Sequence, residues 1–183
     1  IDRQNNLWLC TRNAQYIYRT DTKQVIKLET PIKEEVFYIE QAKGNRYFFG
    51  TRENVYVALL KGNQLVLDPE HTISNLHRVQ HIHYHVPTDR LLIGTMADGF
   101  YVYDSQTKEI SNIGNLKDVT MNDAVTAQPS SEEVLIATDG NGVYKLNMLT
   151  LKLQSFLSTT QESGKMNGDI IKDIYLDEEG RVW

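Results

Sequence analysis

The chain has 183 residues, of which 40% are hydrophobic and 23% are charged, and its formal net charge is −5. This length corresponds to about one domain with a real core, and the apolar content excludes a disordered acidic tail. The acidic balance gives no support for a nucleic-acid partner, and no apolar run approaches the roughly 20 residues of a membrane span. The chain begins at Ile1 without a methionine or a signal peptide, so we expect it to be a segment of a longer protein.

A repeat of about 43 residues organises the sequence. Each copy contains a bulky apolar run, a small residue and a threonine, and the threonines are Thr11, Thr51, Thr95 and Thr138. A fifth copy begins at about residue 166, and the chain ends within it on Trp183. A period of this length is typical of propeller blades and also of some helical repeats.

Local patterns decide in favour of strands, because short runs of Tyr, Val and Phe alternate with polar residues and no 3.6-residue period persists. We label the strands of a repeat A to D from inner to outer, with B ending in the threonine. In chain order the predicted strands are 7–11 (B), 16–18 (C), 24–28 (D), 36–40 (A), 47–51 (B), 55–57 (C), 64–67 (D), 81–86 (A), 91–95 (B), 100–103 (C), 109–113 (D), 124–128 (A), 134–138 (B), 143–146 (C), 152–157 (D) and 170–177 (A). Four short strands per repeat predict an all-β protein, a β-propeller with one antiparallel sheet per blade.

The segment 169–183 contains an apolar strand, an Asp, a Gly turn and an apolar-Trp pair, while 94–104 and 137–147 contain a small residue-Thr pair, a Gly turn and a Tyr-containing strand. On these motifs the later copies resemble the two-component regulator propeller repeat, with 169–183 similar to one half of it and 94–104 and 137–147 similar to the other. The first two copies depart from the pattern, because Arg12-Asn13-Ala14-Gln15 and Arg52-Glu53-Asn54 lack the glycine pair. Within the motif, we expect the glycines to supply positive φ in the B–C turns and Trp and Tyr to fill the wedge between neighbouring blades.

The resemblance implies a periplasmic sensor region of a hybrid two-component histidine kinase and response regulator of polysaccharide-degrading gut bacteria. Such parents have seven-bladed propellers, followed by an Ig-like domain, a membrane helix, a kinase and often a DNA-binding module. For this segment it implies a non-enzymatic sensor without a cofactor that detects a glycan or oligosaccharide and binds no nucleic acid. The partners implied are the remaining blades and Ig-like domain, and a second copy of the parent in a homodimer.

The architecture has two possible forms. We expect residues 1–183 to be a partial β-propeller, an open arc of about four blades from a seven-bladed ring, because the resembling family uses seven. The alternative is a closed four-bladed ring, in which 170–176 pairs with 7–11. As an arc, the isolated chain would expose apolar blade faces and tend to aggregate or to pair through them.

The B–C and D–A loops of a propeller open on one face, where a sugar would need donors, acceptors and aromatic platforms. The candidates for ligand binding in these loops are Arg12, Asn13, Arg52, Glu53, His71, His77, Met96, Asp98, Asn122, Asp123, Asp139, Asn141, Asn167 and Asp169. No motif assigns a catalytic residue. Two other classes remain open, a protein-interaction scaffold and, with less support, a propeller hydrolase or lyase.

Three further features favour structural interpretations. His81, His83 and His85 share one face of a strand but are too far apart along it for one zinc ion, so we expect them to meet the channel or a neighbouring blade. Cys10 takes the small-residue position before a threonine, and as the single cysteine it excludes an internal disulfide. The segment 139–142 lacks the acidic ligand of a calcium loop and is read as a tight turn.

Overall fold

The computed structural model describes residues 1–96, 98–127, 131–158 and 166–183, and over these residues the protein is all-β. This part of the chain contains no helix that could cross a membrane. The strands are β1 (Leu7–Thr11), β2 (Ala14–Arg19), β3 (Gln24–Lys27), β4 (Tyr38–Gln41), β5 (Arg46–Gly50), β6 (Val55–Lys61), β7 (Gln64–Leu67), β8 (Val79–His85), β9 (Arg90–Thr95), β10 (Phe100–Asp104), β11 (Ile110–Ile113), β12 (Met121–Thr126), β13 (Glu133–Thr138), β14 (Val143–Asn147) and β15 (Leu153–Leu157).

The strands form consecutive antiparallel sheets in the order of the predicted repeats. A three-stranded sheet has the order β1-β2-β3, and three four-stranded sheets have the orders β4-β5-β6-β7, β8-β9-β10-β11 and β12-β13-β14-β15. The strands β1, β9 and β13 end in the repeat threonine and β5 ends one residue before it, and each of the four pairs with the following Tyr-containing strand. The all-β class and the four-stranded antiparallel sheets, the arrangement of propeller blades, are therefore confirmed.

The chain divides into two compact units, Ile1–Val79 and Gln80–Trp183, which are described separately. In the first unit the core lies where β1–β3 and β4–β7 pack together, around Ile17, Phe49 and Leu65. The ring of Trp8 on β1 lies 4.6 Å from that of Tyr47 on β5, centroid to centroid. This contact confirms that aromatic side chains fill the space between neighbouring sheets.

In the second unit the largest cluster of buried side chains joins β8–β11 to β12–β15. It includes Leu92, Phe100, Met121, Val134 and Leu146, all buried. Burying each of these apolar side chains contributes roughly 1.5–3 kcal/mol relative to exposure. Because neighbouring sheets share the cluster, each sheet depends on the next for its core.

The recurring threonine closes the turn between the second and third strands of each repeat. The Thr138 hydroxyl donates to the Gly142 carbonyl at 2.7 Å, and the Thr95 hydroxyl donates to the Gly99 carbonyl at 3.0 Å. Thr11 makes the equivalent bond to the Ala14 carbonyl in its shorter turn, and Thr51 Oγ1 lies 3.0 Å from the Asn54 carbonyl oxygen at the same position. Gly99 has a φ of +73°, and a Cβ there would lie 2.6 Å from the Leu116 carbonyl oxygen, so the predicted need for glycine is confirmed.

The small residue before the threonine is explained by packing. At Gly94 an added Cβ would collide with the side chain of Met121, and at Gly50 it would lie 3.3 Å from the Cβ of Tyr38. Ala137 is fully buried at the same position. The neighbouring strand therefore leaves no room for a larger side chain there.

The predicted strand over 170–177 is wrong as a continuous element. Only isolated bridges occur there, Asp139↔Ile170 and Leu176↔Val182. Backbone pairing of this segment with the start of the next strand is limited to Val182 and Trp183: Leu176 bridges Val182, and Tyr175 and Trp183 exchange hydrogen bonds of 3.1 and 2.8 Å. Smaller differences concern strand ends: the strand predicted at 36–40 is Tyr38–Gln41, and residue 128, the predicted end of another, lies outside the described residues.

A tight turn with an Asp and a Trp six residues later occurs at both ends of the chain. The Asp2 carboxylate accepts hydrogen bonds from the backbone N–H of Asn6 and from Trp8 Nε1. The Asp177 carboxylate accepts the equivalent bonds from Arg181 and from Trp183 Nε1. The sequence pattern identified only the second of these turns.

Candidate functional site

In the first unit, the turn after β5 is tied to the segment that precedes β8. The Glu53 carbonyl accepts a hydrogen bond from Leu76 N at 2.9 Å, and the Arg52 carbonyl accepts one from Val79 N at 2.9 Å. The side chains of Arg52, Glu53 and His77 are exposed beside this seam. These three predicted residues are thus held together by backbone contacts.

A carboxylate that sequence reasoning missed lies at the same turn. Glu34 accepts hydrogen bonds from the Thr51 hydroxyl at 2.7 Å, from Asn54 Nδ2 at 3.0 Å and from the Tyr56 hydroxyl. Burial alone would raise the pKa of Glu34, but the bonds from Tyr56, Thr51 and Asn54 outweigh it and hold the pKa below its usual value. The half-buried cluster therefore presents an ionised carboxylate, an amide and a phenol together.

In the second unit, the segment 169–174 lies along the turn side of β12–β14. The Asp169 carbonyl accepts from Gly140 N and Gly142 N, and the Asn122 amide donates to the Ile171 carbonyl at 2.8 Å. Lys172 Nζ forms an ion pair of 2.8 Å with Asp139. Three predicted residues, Asn122, Asp139 and Asp169, are brought together here, and all three help to hold this segment.

Asp123 links three elements of the same region. Its carboxylate accepts a hydrogen bond from Ile174 N at 3.1 Å and lies 3.2 Å from His81 Nε2 on β8. Burial raises the pKa of Asp123, and the nearby carboxyl of Asp173 raises it further through a hydrogen bond and charge repulsion. Burial lowers the pKa of His81 to about 4, against the opposing charge of Asp173. At neutral pH His81 is therefore uncharged.

The other two histidines of β8 also face the neighbouring sheet, which confirms one of the two predicted surroundings. His83 Nε2 lies 2.9 Å from the hydroxyl of Thr126 on β12, and His85 Nε2 lies 2.8 Å from the Ser131 carbonyl oxygen. Burial, with the charges of His81 and His85, lowers the pKa of His83 to about 4, and burial lowers the pKa of His85. These side chains act in packing as neutral hydrogen-bonding groups.

The remaining predicted residues are scattered over several turns. Asp98 accepts a hydrogen bond from the Tyr101 hydroxyl at 3.0 Å, and His71 Nδ1 lies 2.7 Å from the Asp68 carboxylate. The side chains of the other members are exposed in their turns or loops: Arg12, Asn13, Met96, Asn141 and Asn167. The candidates therefore form local groups at successive turns within each unit.

Neither a reactive thiol nor a metal cluster emerges from the described ranges. Burial raises the pKa of the Cys10 thiol to about 11, so the thiolate that a nucleophile requires is scarce at neutral pH. Residues 1–96, 98–127, 131–158 and 166–183 contain no group of three or more His, Cys, Asp or Glu side chains that could hold a metal ion. Side-chain chemistry here is that of hydrogen bonding and charge.

Comparison with solved structures shows a shared fold. The extracellular domain of BT4673 from B. thetaiotaomicron, described in one structure as a one-component system and in another as a hybrid two-component system, matches with a TM-score of 0.74, at 21% and 20% identity respectively. The extracellular domain of BT3049 from the same organism, also described as a hybrid two-component system, matches with a TM-score of 0.70 and 16% identity. These matches cover 98%, 98% and 97% of this chain.

The chain spans about a quarter of the length of these neighbours, 25% for both BT4673 structures and 23% for BT3049. No protein-family model matches the sequence, and no curated protein matches it. At these identities the likeness establishes the fold of the chain, and it agrees with the resemblance carried by the repeat motif.

Proposed function

We propose that this chain is part of a non-catalytic, extracytoplasmic sensor module of a hybrid two-component signalling protein, located in the periplasm. The observation that carries the proposal is the match of 98% of the chain, with a TM-score of 0.74, to the extracellular domain of a system so described. The Asp, Gly-turn and Trp pattern at 177–183 supports it independently, because it is read from sequence alone.

The chain would supply consecutive blades of a larger propeller, arranged as an open arc of a seven-bladed ring. The supporting observation is that it spans only 25% of a neighbour that has the same fold over nearly all of this chain. The parent protein would provide the other blades and an Ig-like domain and would act as a homodimer. The sequence of the parent gene tests this directly: a membrane helix and a histidine kinase are expected downstream, and their absence would contradict the assignment.

The ligand would be an oligosaccharide bound at the turns. In the first unit, Glu34, Asn54 and Tyr56 combine a charged acceptor, an amide and an aromatic ring within one hydrogen-bonded group. Sugar hydroxyls require paired donors and acceptors, and sugar rings stack on aromatic faces, so this chemistry suits a glycan. The exposed Arg52 and Glu53 on the same turn would extend the surface.

Calorimetric titration with a panel of short oligosaccharides tests the ligand class. The variant Glu34→Gln removes the charge, and we expect at least a tenfold loss of affinity because hydrogen bonds to charged groups are the strong ones. The matched control is Glu35→Gln, an exposed neighbour, for which affinity should change less than twofold. Equal binding by both variants would remove Glu34 from the site, and binding of no sugar by the wild type would contradict the ligand class.

A protein-interaction scaffold is the second candidate, because large apolar side chains are exposed on the first unit. Leu9, Val25 and Phe37 are 45%, 61% and 53% exposed. The same titration separates the classes: a scaffold would bind none of the sugars, whereas turnover of a bound sugar would indicate the hydrolase or lyase.

A further inference from the structure

The outer strand β7 of the first unit has an edge that its own chain covers only in part. In the ladder with β6, Lys61 pairs with Gln64 and Leu59 with Val66, and Asp68 N donates to the Val57 carbonyl at 2.7 Å. In an antiparallel strand the backbone N–H and carbonyl of one residue point to the strand on one side, and those of the next residue point to the other side. The backbone groups of Leu65 and Leu67 therefore point away from β6. These outward groups are available to another strand.

The chain itself adds one rung to this edge. Glu29 N donates to the Asn63 carbonyl at 2.9 Å, and Leu65 N donates to the Glu29 carbonyl at 2.8 Å, which makes Glu29↔Gln64 a parallel bridge. In parallel pairing the next rung would need the N–H of residue 31 to donate to the Leu65 carbonyl. That residue is Pro31, which has no N–H, so the pairing stops.

Three backbone groups remain open beyond this point. In the described part of the chain, the Leu65 carbonyl and both the N–H and the carbonyl of Leu67 have no hydrogen-bond partner. A groove of about 420 Å³ lies beside them, lined by residues 29–31 and 64–67. Strand β7 contains neither a charge nor a proline, the usual devices that keep edges from pairing.

We propose that this groove binds an extended peptide, which adds a strand to the edge of β7. The main chain of the peptide would satisfy the open groups of Leu65 and Leu67, as in other cases of strand addition. Its apolar side chains would contact the half-buried side chains of Val66 and Leu67, and a basic residue would face the exposed carboxylate of Glu29, the charged residue of the groove lining. The occupant is thus an apolar, basic segment without proline.

The probe is a blocked pentapeptide of alternating valine and lysine, added to the ¹⁵N-labelled chain. We expect a chemical-shift change and slower hydrogen exchange at the Leu67 amide. The matched control is the same peptide N-methylated at alternate residues, which keeps the side chains but removes the donors along one edge. Equal binding by the control, or a Leu67 amide that does not respond, would overturn the proposal.

Two variants of the protein test the contribution of the outward N–H of Leu67. Leu67→Pro removes the outward N–H without removing a donor to β6, and we expect at least a tenfold loss of peptide affinity. Leu67→Ala keeps that N–H and should lose less than threefold. Should the proline variant fail to fold, the N-methylated peptide still decides the question. Self-association in sedimentation, together with protection of the Leu67 amide in hydrogen exchange without peptide, would mean that a second copy of the chain occupies the edge. That result would overturn the peptide as its occupant.

Discussion

The two Asp–Trp turns at the ends of the chain have the same local geometry in different surroundings. In each, the aspartate oxygen accepts a backbone N–H four residues ahead at 2.8 Å, and the other oxygen accepts the indole N–H six residues ahead. The third residue after the aspartate has a positive φ in both, 62° at Asn5 and 79° at Gly180. The turn is therefore built from its own short sequence.

The surroundings differ, because among the residues that the structure describes a neighbouring sheet packs against the first turn and not against the second. Asp2 is 8% exposed, and its carboxylate also accepts a bond from the Tyr47 hydroxyl of β5 at 3.3 Å, while Trp8 packs on Tyr47 and Phe49. Trp183, by contrast, is 71% exposed. The comparison teaches that the aspartate orients the indole, whereas the next sheet determines how much stability the indole contributes.

The largest difference between the turns is expected on truncation of the tryptophans. Trp8→Ala removes the aromatic contact between two sheets and should lower the free energy of unfolding of the first unit by about 3 kcal/mol. Trp183→Ala should cost less than about 0.5 kcal/mol, because an exposed side chain has little burial to lose. Urea denaturation of the two variants measures this. Equal losses would mean that the indole stabilises its own turn and that the sheet contact is unimportant.

Removing the aspartates should give a smaller difference in the same direction. Asp2→Ala leaves the indole N–H of Trp8 and the hydroxyl of Tyr47 without their acceptor in a buried place, at a cost of about 2 kcal/mol. In Asp177→Ala water can replace the lost bonds, so the cost should be clearly smaller than that of Asp2→Ala. The hydrogen-exchange protection of the Asn6 and Arg181 amides measures the stability of each turn separately. A larger effect at Asp177 would contradict the role given to burial.

The strand pattern of the fold was predictable because each repeat encodes it locally. Alternating Tyr and Val residues, the threonine closure and the turn glycines recur along the chain, and all fifteen observed strands overlap predicted ones by three residues or more. The strand predicted at 36–40 begins two residues later, at Tyr38, because Val36 packs in the core outside the sheet. The strand at 170–177 failed for a non-local reason, since pairing needs a partner strand.

The candidate site was less predictable, because hydrogen bonds between distant residues define it. Glu34 lies between the charged residues Lys33 and Glu35, a pattern typical of a solvated surface, yet it is bonded to Thr51 and Asn54 across 17 and 20 residues. Asp139 lies in the turn after β13 as expected, whereas Asn122 and Asp123, predicted in a loop, lie within strand β12. The pattern also could not show that the segment at 169–174 would engage Asn122 and Asp139. Asp2 was missed because its turn has Asn5 where the family pattern has glycine.

Mild acid should lower the stability of the second unit more than that of the first, and both Asp–Trp turns should keep their hydrogen bonds. Burial would raise the pKa of Asp2, but bonds from Asn6, Trp8 and Gln4 outweigh it and lower the pKa. At Asp177 the bond from Trp183 leads the causes that lower the pKa. Stability from a carboxylate with a lowered pKa is lost only as the pH falls below its unfolded value of about 3.8. Both turns should therefore survive at pH 5.

The histidine strand β8 behaves differently over the same range. His81 and His83 have folded pKa values of about 4, so between pH 6.5 and 4 the unfolded chain binds protons that the folded chain does not, and stability falls as the pH falls. The raised pKa of Asp123 acts in the opposite direction, because its carboxyl takes up a proton more readily in the folded chain than in the unfolded one. We therefore expect a net loss of stability at pH 5 that is smaller than the two histidines alone would give.

Hydrogen exchange at pH 7.5 and pH 5, corrected for intrinsic rates, measures the difference between peptides covering β8 and β12 and those covering β1 and β2. His83→Gln, which keeps a neutral polar group opposite Thr126, should flatten the pH dependence. Uniform loss of protection in both units would contradict the assignment to the histidines, and so would an unchanged slope in the variant.

The smallest expected effect comes from the residue with positive φ in each turn. A left-handed backbone costs an ordinary residue roughly 1 kcal/mol and costs Asn or Gly much less. Asn5→Ala and Gly180→Ala should therefore each weaken their own turn by about 1 kcal/mol, whereas the exchanges Asn5→Gly and Gly180→Asn should stay within about 0.5 kcal/mol of the parent. The Asn6 and Arg181 amides report each turn by hydrogen exchange. Because this cost arises in the backbone itself, the two alanine variants should agree despite the different burial of their tryptophans. A clearly larger loss at Asn5 would show that the packed sheet constrains the turn as well as the indole, and the turn would then no longer be a purely local structure.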